Sequence, residues 1–289
     1  LIKKIVCRKQ KTSPDCDSEQ SFRVSRSILM LLLTLAFAGL FVAEERNQSM
    51  FFTLNAFLSQ LPDFFWINIT NLGSTLAGAA LLCLLLPKRP KLAVHLLISG
   101  LLCTLIIYGL KHSLDVLRPH LILDKASFHF IETNITSPAR PSGHTATGFF
   151  IAGTAWIFLR TKTLRLGISL LAILIGLSRV AIGVHWPLDL IWGALIGLGM
   201  GYFGALLITR PFLITRLSSY RNSHEAEAKE IGYRILSLCL ICFISAYFIV
   251  KPLPYSGENL PSLIAIYLAL TVSFLGCIKA LKERKKPLI

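Results

Sequence analysis

The chain has 289 residues, of which 54% are hydrophobic and 16% charged, and its formal net charge is +15. A soluble domain usually carries about a quarter charged residues, and the apolar residues here come in long blocks, so composition alone excludes an ordinary soluble protein and leaves a membrane protein. In a soluble chain this much positive charge would point to nucleic acid. Here the charges lie between apolar blocks, so they read as membrane orientation, and nucleic acid is not an expected partner.

Residues 1–27 form a polar, basic tail. The first apolar run is 27–43. Glu44–Asn71 is too polar in places to span, and its aromatic residues, among them Phe51, Phe52, Phe64, Phe65 and Trp66, suit the headgroup level; it reads as an interfacial or re-entrant segment. Further spans are expected at about 66–87, 92–110, 144–159, 166–178, 186–208, 231–250 and 261–281, each near the roughly 20 residues that a crossing helix needs. The basic turn 88–91, the loop 111–143, the turn 160–165, the connector 209–230 and the segment 251–260 join them. The sequence therefore predicts an all-α integral membrane protein: six apolar runs over 28–209, then a connector, two further helices and a basic tail over 210–289.

Eight spans put both termini on one side. That side collects seven Lys and Arg from the N-terminal tail, three from 88–91, three from 160–165, five from 210–234 and five from the C-terminal tail. The other side has seven: Arg46, Lys111, Arg118, Lys125, Arg140, Arg179 and Lys251. The positive-inside rule makes the richer side cytoplasmic. Five of the seven cysteines lie in apolar runs and read as small apolar side chains, including Cys239 and Cys242 of a C-x-x-C. Gly193, Gly197 and Gly201 recur every four residues, which predicts close helix packing. His95 reads as a packed histidine, and His112, His120 and His129 as loop residues. Asn47, Asn68 and Asn134 each begin an N-x-S/T triplet, read as chance in a bacterial protein.

Three polar stretches sit at the edges of apolar runs, where polar groups are costly unless they have a purpose. Lys111–Pro119 reads KHSLDVLRP, Pro141–His144 reads PSGH, and Ser178–Asp189 reads SRVAIGVHWPLD. All three fall on the outer side in the topology above. Lys111, Arg118 and Arg179 are three positive charges, and the arginine forks suit phosphate oxygens. Ser142 offers a hydroxyl, and Gly143 a backbone N–H that a ligand can approach closely. Residues 142–144 stand at an expected helix N-terminus, which attracts anions. His185 and Asp189 are four apart and share a face if the start of their helix is regular. No carboxylate cluster suggests a metal.

Together the stretches match K-x6-RP, PSGH and SR-x5-H-x3-D at Lys111, Arg118, Pro119, Pro141, Ser142, Gly143, His144, Ser178, Arg179, His185 and Asp189. In this the chain resembles the type-2 phosphatidic acid phosphatase superfamily. The resemblance implies a six-helix core and a hydrolase of lipid phosphates or diphosphates that uses neither metal nor cofactor. It implies His185 as nucleophile, oriented by Asp189, and His144 as the acid for the leaving group and then the base for water. Lys111, Arg118, Ser142, Gly143 and Arg179 would bind phosphate. Undecaprenyl diphosphate, phosphatidylglycerol phosphate, phosphatidic acid and lipid A 1-phosphate all fit such a site, placed at the outer face of a bacterial cytoplasmic membrane. A phosphotransferase on the same site and a non-catalytic scaffold or transporter are the other readings. The signature also resembles that of vanadium-dependent haloperoxidases, which are soluble.

Overall fold

The structure is a computed structural model that describes residues 44–131, 134–209, 223–250 and 259–283. The regular structure among them is entirely helical: α1 Glu44–Leu58, α2 Asp63–Leu72, α3 Thr75–Cys83, α4 Pro90–Leu114, α5 Pro119–Ile122, a 3-10 turn Lys125–Ser127, α6 Gly143–Phe158, α7 Lys162–Ala181, α8 Pro187–Thr209, α9 Ser223–Val250 and α10 Leu260–Glu283. Four stretches among these residues are long and apolar enough to cross a membrane: Leu92–Ile122, Lys162–Ala181, Pro187–Leu206 and Leu260–Lys282; Ile231–Tyr247 is a shorter apolar helix. Large apolar side chains such as Leu105, Leu170, Phe243 and Leu268 are more than half exposed around the outside. That surface suits hydrocarbon and would be a liability in water. The chain is an integral membrane protein.

The expected run 27–43 and the expected basic tail 1–27 lie outside the described residues. The segment 44–71 is helical over most of its length as α1 and α2. The expected span 66–87 is not one helix. It breaks at Gly73 and Ser74, where the Ser74 hydroxyl accepts the Ala77 N–H at 3.1 Å and starts α3. A Cβ on Gly73 would stand 3.2 Å from the His144 Cβ, so the break lets the chain lie directly against His144. The helix expected at 92–110 continues to Leu114 and carries Lys111 in its last turn.

Helices α6 and α8 run parallel along most of their length, with α7 returning between them. The contact is made through glycine. A Cβ on Gly197 would come within 2.8 Å of the Ala146 carbonyl carbon, one on Gly201 within 2.8 Å of that of Phe150, and one on Gly193 within 3.1 Å of the Thr145 Cβ. From the other side, a Cβ on Gly153 would come within 2.7 Å of the Leu198 carbonyl oxygen. Steps of four on α8 thus meet steps of four on α6, and the two backbones touch. The consequence is positional: both helices begin at the same level, beside the end of α7.

Helix α1 and the loop 115–142 cover that end. Phe51 is fully buried against Phe128 and Trp186, with ring centroids 5.2 Å away in both cases. Asn55 donates to the carbonyls of Val180 and His129, both at 2.9 Å, and accepts the His129 N–H at 2.8 Å. Asn47 accepts the Leu188 N–H at 3.0 Å, capping the start of α8. Asn47 and Asn68 are therefore structural side chains: the Asn68 carbonyl accepts the Ser262 N–H at 3.0 Å.

If the glycine seam holds α6 to α8, Gly197→Leu forces the backbones apart. Overpacking a core typically costs about 1–3 kcal/mol, and a melting temperature at least about 5 °C lower is expected for protein in detergent. Gly199→Leu is the control, since a Cβ there meets nothing within 4 Å. Size-exclusion profiles after graded heating measure both; equal shifts would contradict the seam.

Candidate active site

The interval between Arg179 and His185 is a helix C-terminus. Helix α7 ends at Ala181. The Gly183 N–H donates to the Val180 carbonyl at 3.0 Å and the Val184 N–H to the Arg179 carbonyl at 3.1 Å. This pair of bonds is a Schellman motif, and its left-handed position is Gly183, with φ of 77°. A side chain there would be strained, and its Cβ would lie 2.7 Å from the Phe128 ring. The His185 N–H also reaches the Arg179 carbonyl, at 3.2 Å. The five residues between arginine and histidine are therefore one stop-and-turn unit that fixes His185 against the end of α7.

Helix α8 then starts at Pro187, so His185 lies outside it. The expectation that His185 and Asp189 share a regular helical face needs correction. Asp189 instead reaches backward, as the third helical residue does in a capping box. Its Oδ2 accepts the Trp186 N–H at 2.9 Å and pairs with His185 Nδ1 at 3.2 Å. Its Oδ1 accepts Arg140 Nε at 3.0 Å, and its backbone carbonyl accepts the Ser142 N–H at 3.0 Å. Asp189 and His185 are 0% and 2% exposed. A carboxylate in the first turn is also favoured by the helix dipole.

The K-x6-RP interval is a second helix exit. Asp115 takes the left-handed conformation after α4, and Arg118 precedes α5, whose first residue is Pro119. Lys111 on the last turn of α4 donates to the carbonyls of Pro138 and Ala139. Arg118, also buried, donates through Nε to the Ser137 carbonyl at 2.6 Å and through Nη1 to the Val184 carbonyl at 3.0 Å. Its Nη1 also lies 3.0 Å from His185 Nε2. A guanidinium has only protons to offer, so Nε2 is the acceptor and the ring proton sits on Nδ1, facing Asp189. Burial, then the charges of Arg118, Arg179 and Lys111, push the His185 imidazole well below the ordinary histidine range. The ring is neutral at neutral pH, with its lone pair on Nε2.

Ser142 is the N-cap of α6: its hydroxyl is fully buried and accepts from the Thr145 N–H at 3.4 Å and the Thr145 hydroxyl at 2.9 Å. Gly143 and His144 follow as the first residues of the helix, and His144 is close enough to bear electrostatically on His185. Arg179 is buried and donates from Nη1 to the Thr70 hydroxyl at 2.6 Å. The structure thus gathers Lys111, Arg118, Ser142, Gly143, His144, Arg179, His185 and Asp189 at one end of the bundle. Two further members were not read from the sequence. Arg140 had one signal, its place next to the PSGH stretch. Thr70 had none, because only the break between α2 and α3 brings it to Arg179. Of the other histidines, His120 stacks on Phe130 at 5.0 Å, His129 pairs with Asp63 at 2.8 Å, and His95 lies 6.4 Å from the Tyr233 ring.

Residues 91–213 match the family model described as PAP2 superfamily. Over 161 residues the chain is 29% identical to an undecaprenyl-diphosphatase of Sulfolobus acidocaldarius, covering 52% of this chain and 69% of that protein. Over 123 residues it is 33% identical to a lipid A 1-phosphatase of Rhizobium johnstonii, covering 42% of this chain and 48% of that protein. The chain thus spans about two thirds of the first relative and half of the second. Among solved structures, Aquifex aeolicus LpxE aligns with 29% identity and a TM-score of 0.48 over 55% of this chain and 93% of that one. The first transmembrane PAP2 type phosphatidylglycerolphosphate phosphatase from Bacillus subtilis aligns with 20% identity and a TM-score of 0.49, over 63% of this chain and 94% of that one. All eleven signature residues lie inside the matched segment, and it is this segment that is similar to the PAP2 superfamily.

Proposed function

We propose that the chain is a metal-independent phosphatase of membrane lipid phosphates or diphosphates, working through a phosphohistidine at the outer face of a bacterial cytoplasmic membrane. The reading is carried by one observation: His185 is held with Nδ1 on a buried carboxylate and with its Nε2 lone pair on Arg118, while Arg179 and Lys111 stand near enough to bear on the ring electrostatically. A neutral imidazole so oriented is a nucleophile, and the cations lie where a phosphate's negative charge would be stabilised.

In the proposed reaction the phosphate oxygens lie among Lys111, Arg118, Arg179, the Ser142 hydroxyl and the Gly143 N–H. The arginine and lysine donors now given to carbonyls and to His185 turn to the phosphate. His185 Nε2 attacks phosphorus in line with the leaving oxygen. The P–O bond breaks, and His144 gives its proton to the departing oxygen. Asp189 stabilises the charge that His185 acquires. Water then attacks the phosphohistidine, His144 takes a proton from it, and the N–P bond breaks to release phosphate and restore both histidines. Arg140 keeps the second oxygen of Asp189 occupied throughout. The division into a six-helix core over 28–209 and an appended segment over 210–289 is part of this proposal.

Purified protein should release inorganic phosphate from at least one of undecaprenyl diphosphate, phosphatidylglycerol phosphate, phosphatidic acid and lipid A 1-phosphate presented singly in detergent. Transfer of phosphate only when an acceptor lipid is added would make it a phosphotransferase.

Two further outcomes follow from the residues. His144→Ala should lower turnover on phosphatidic acid by about 10²–10⁴-fold, the usual worth of a general acid, and should lose much less on p-nitrophenyl phosphate, whose leaving group needs no proton. His185→Ala should lose both activities; equal losses for the two variants on both substrates would overturn the assignment of roles. For orientation, Ser127→Cys in a cysteine-free background should react with an impermeant thiol reagent in intact spheroplasts, and Lys162→Cys should not. The reverse pattern would put the site in the cytoplasm.

A further inference from the structure

A cavity of about 630 Å³ begins at the candidate site and continues into the bundle. Its upper end is lined by Lys111, Ser137 and Gly143. Below them α4 contributes Tyr108, Thr104, Leu101 and Leu97, one residue per turn down a single face. From Lys111 to Leu97 is about 21 Å at 1.5 Å per residue. Helix α3 lines the cavity through Leu76 and Ala79, and α6 through Thr147 and Phe150. Away from the cationic end the walls are nearly all hydrocarbon. Counting about 30 Å³ for a water-sized group, the space holds on the order of 20 methylene-sized units.

The fourth wall is α9, through Leu240, Phe243 and Ile244. These residues lie outside the matched segment 91–213. Ile244 is buried in the cluster that joins α3, α9 and α10, so the wall is anchored. Phe243 is 66% exposed, and across the gap Leu101 on α4 is 60% exposed. The cavity therefore opens sideways between α4 and α9, at the depth of Leu92–Ile122, where the surroundings are lipid. An apolar channel with a positively charged end, open to the bilayer along its side, matches a hydrocarbon chain with an anionic head and matches no water-soluble phosphate.

We propose that α9 completes a hydrocarbon-chain site, and that Leu240, Phe243 and Ile244 determine which lipid phosphates the enzyme accepts. The occupant is the chain of the substrate whose phosphate lies at Lys111, Arg118 and Gly143. This inference rests on the phosphatase reading. It assigns to α9 a part in substrate recognition.

The test compares dioleoyl and dihexanoyl phosphatidic acid in mixed micelles of one detergent. Leu240→Trp fills the channel beside α4, and should reduce kcat/KM for the dioleoyl lipid at least ten-fold more than for the dihexanoyl one. Ile235→Trp, on the exposed face of α9 turned away from Leu240, should leave that ratio within two-fold of wild type. A second measurement uses the wild-type protein and does not depend on the variant folding. Phosphatidic acid with a diazirine in mid-chain should, on illumination, attach to the 240–244 peptide, and unlabelled dioleoyl phosphatidic acid should compete. Equal losses on both chain lengths with no adduct on α9 would overturn the proposal, as would equal labelling by a diacylglycerol probe, which would make the channel a site for any lipid. If wild-type protein releases phosphate from neither lipid but the adduct forms and is competed, the chain site stands and the phosphatase reading fails.

Discussion

The backbone contact between α6 and α8 sets the positions of everything at the site. Two helices that touch through glycine, at Gly193, Gly197 and Gly201 on one side and Gly153 on the other, have no side chains between them to slide on. Their first turns are therefore locked at one level. That brings the Ser142 N–H within 3.0 Å of the Asp189 carbonyl and sets the two helix starts side by side, one carrying His144 and the other following His185. Helix α7, packed against α6, delivers Arg179 to the same level from the opposite direction.

On that frame, the polar groups are shared out with little slack. Asp189 uses one oxygen for Arg140 and the other for His185 and the Trp186 N–H. Arg118 joins the loop carbonyl of Ser137 to the turn carbonyl of Val184 and to His185. Such arrangements are costly to bury and are stable only when every member is satisfied. Here they leave the imidazole neutral and in one tautomer, with its lone pair on Nε2, held only by the Arg118 guanidinium. The same cations that hold the site together are the ones an anionic substrate would recruit.

Much of this was legible in the sequence because the signature intervals are local structures. R-x5-H is a Schellman turn with Gly183 at its left-handed position, and K-x6-RP is a left-handed exit at Asp115 followed by a proline-led helix start. PSGH is an N-cap and first turn. The glycine period on α8 and the apolar blocks were equally readable, since both are periodic. What could not be read depends on contacts across the fold. The second expected span breaks at Gly73 and Ser74, a polar step in the sequence that a continuous helix can also carry. Thr70 meets Arg179 from 109 residues away, and Asn55 meets Val180 from 125. The H-x3-D spacing gives a shared face only if the helix already runs through the histidine. The actual link is a backward cap, because proline at 187 makes the helix begin two residues after the histidine.

The proposed chemistry and the apolar channel beneath it address one physical problem: an anionic head must reach buried cations while its chain stays out of water. In the proposed mode the hydrocarbon chain would enter from the side and the phosphate would meet the site at the end of α4. The central claim is that phosphate is carried on His185. Rapid quench of wild-type protein with radiolabelled lipid phosphate, followed by peptide mapping, tests it most directly. The account predicts a transient, acid-labile and alkali-stable label on the peptide that contains His185. Label on His144 or on Ser142, or full turnover with no protein-bound phosphate at any time, would contradict it.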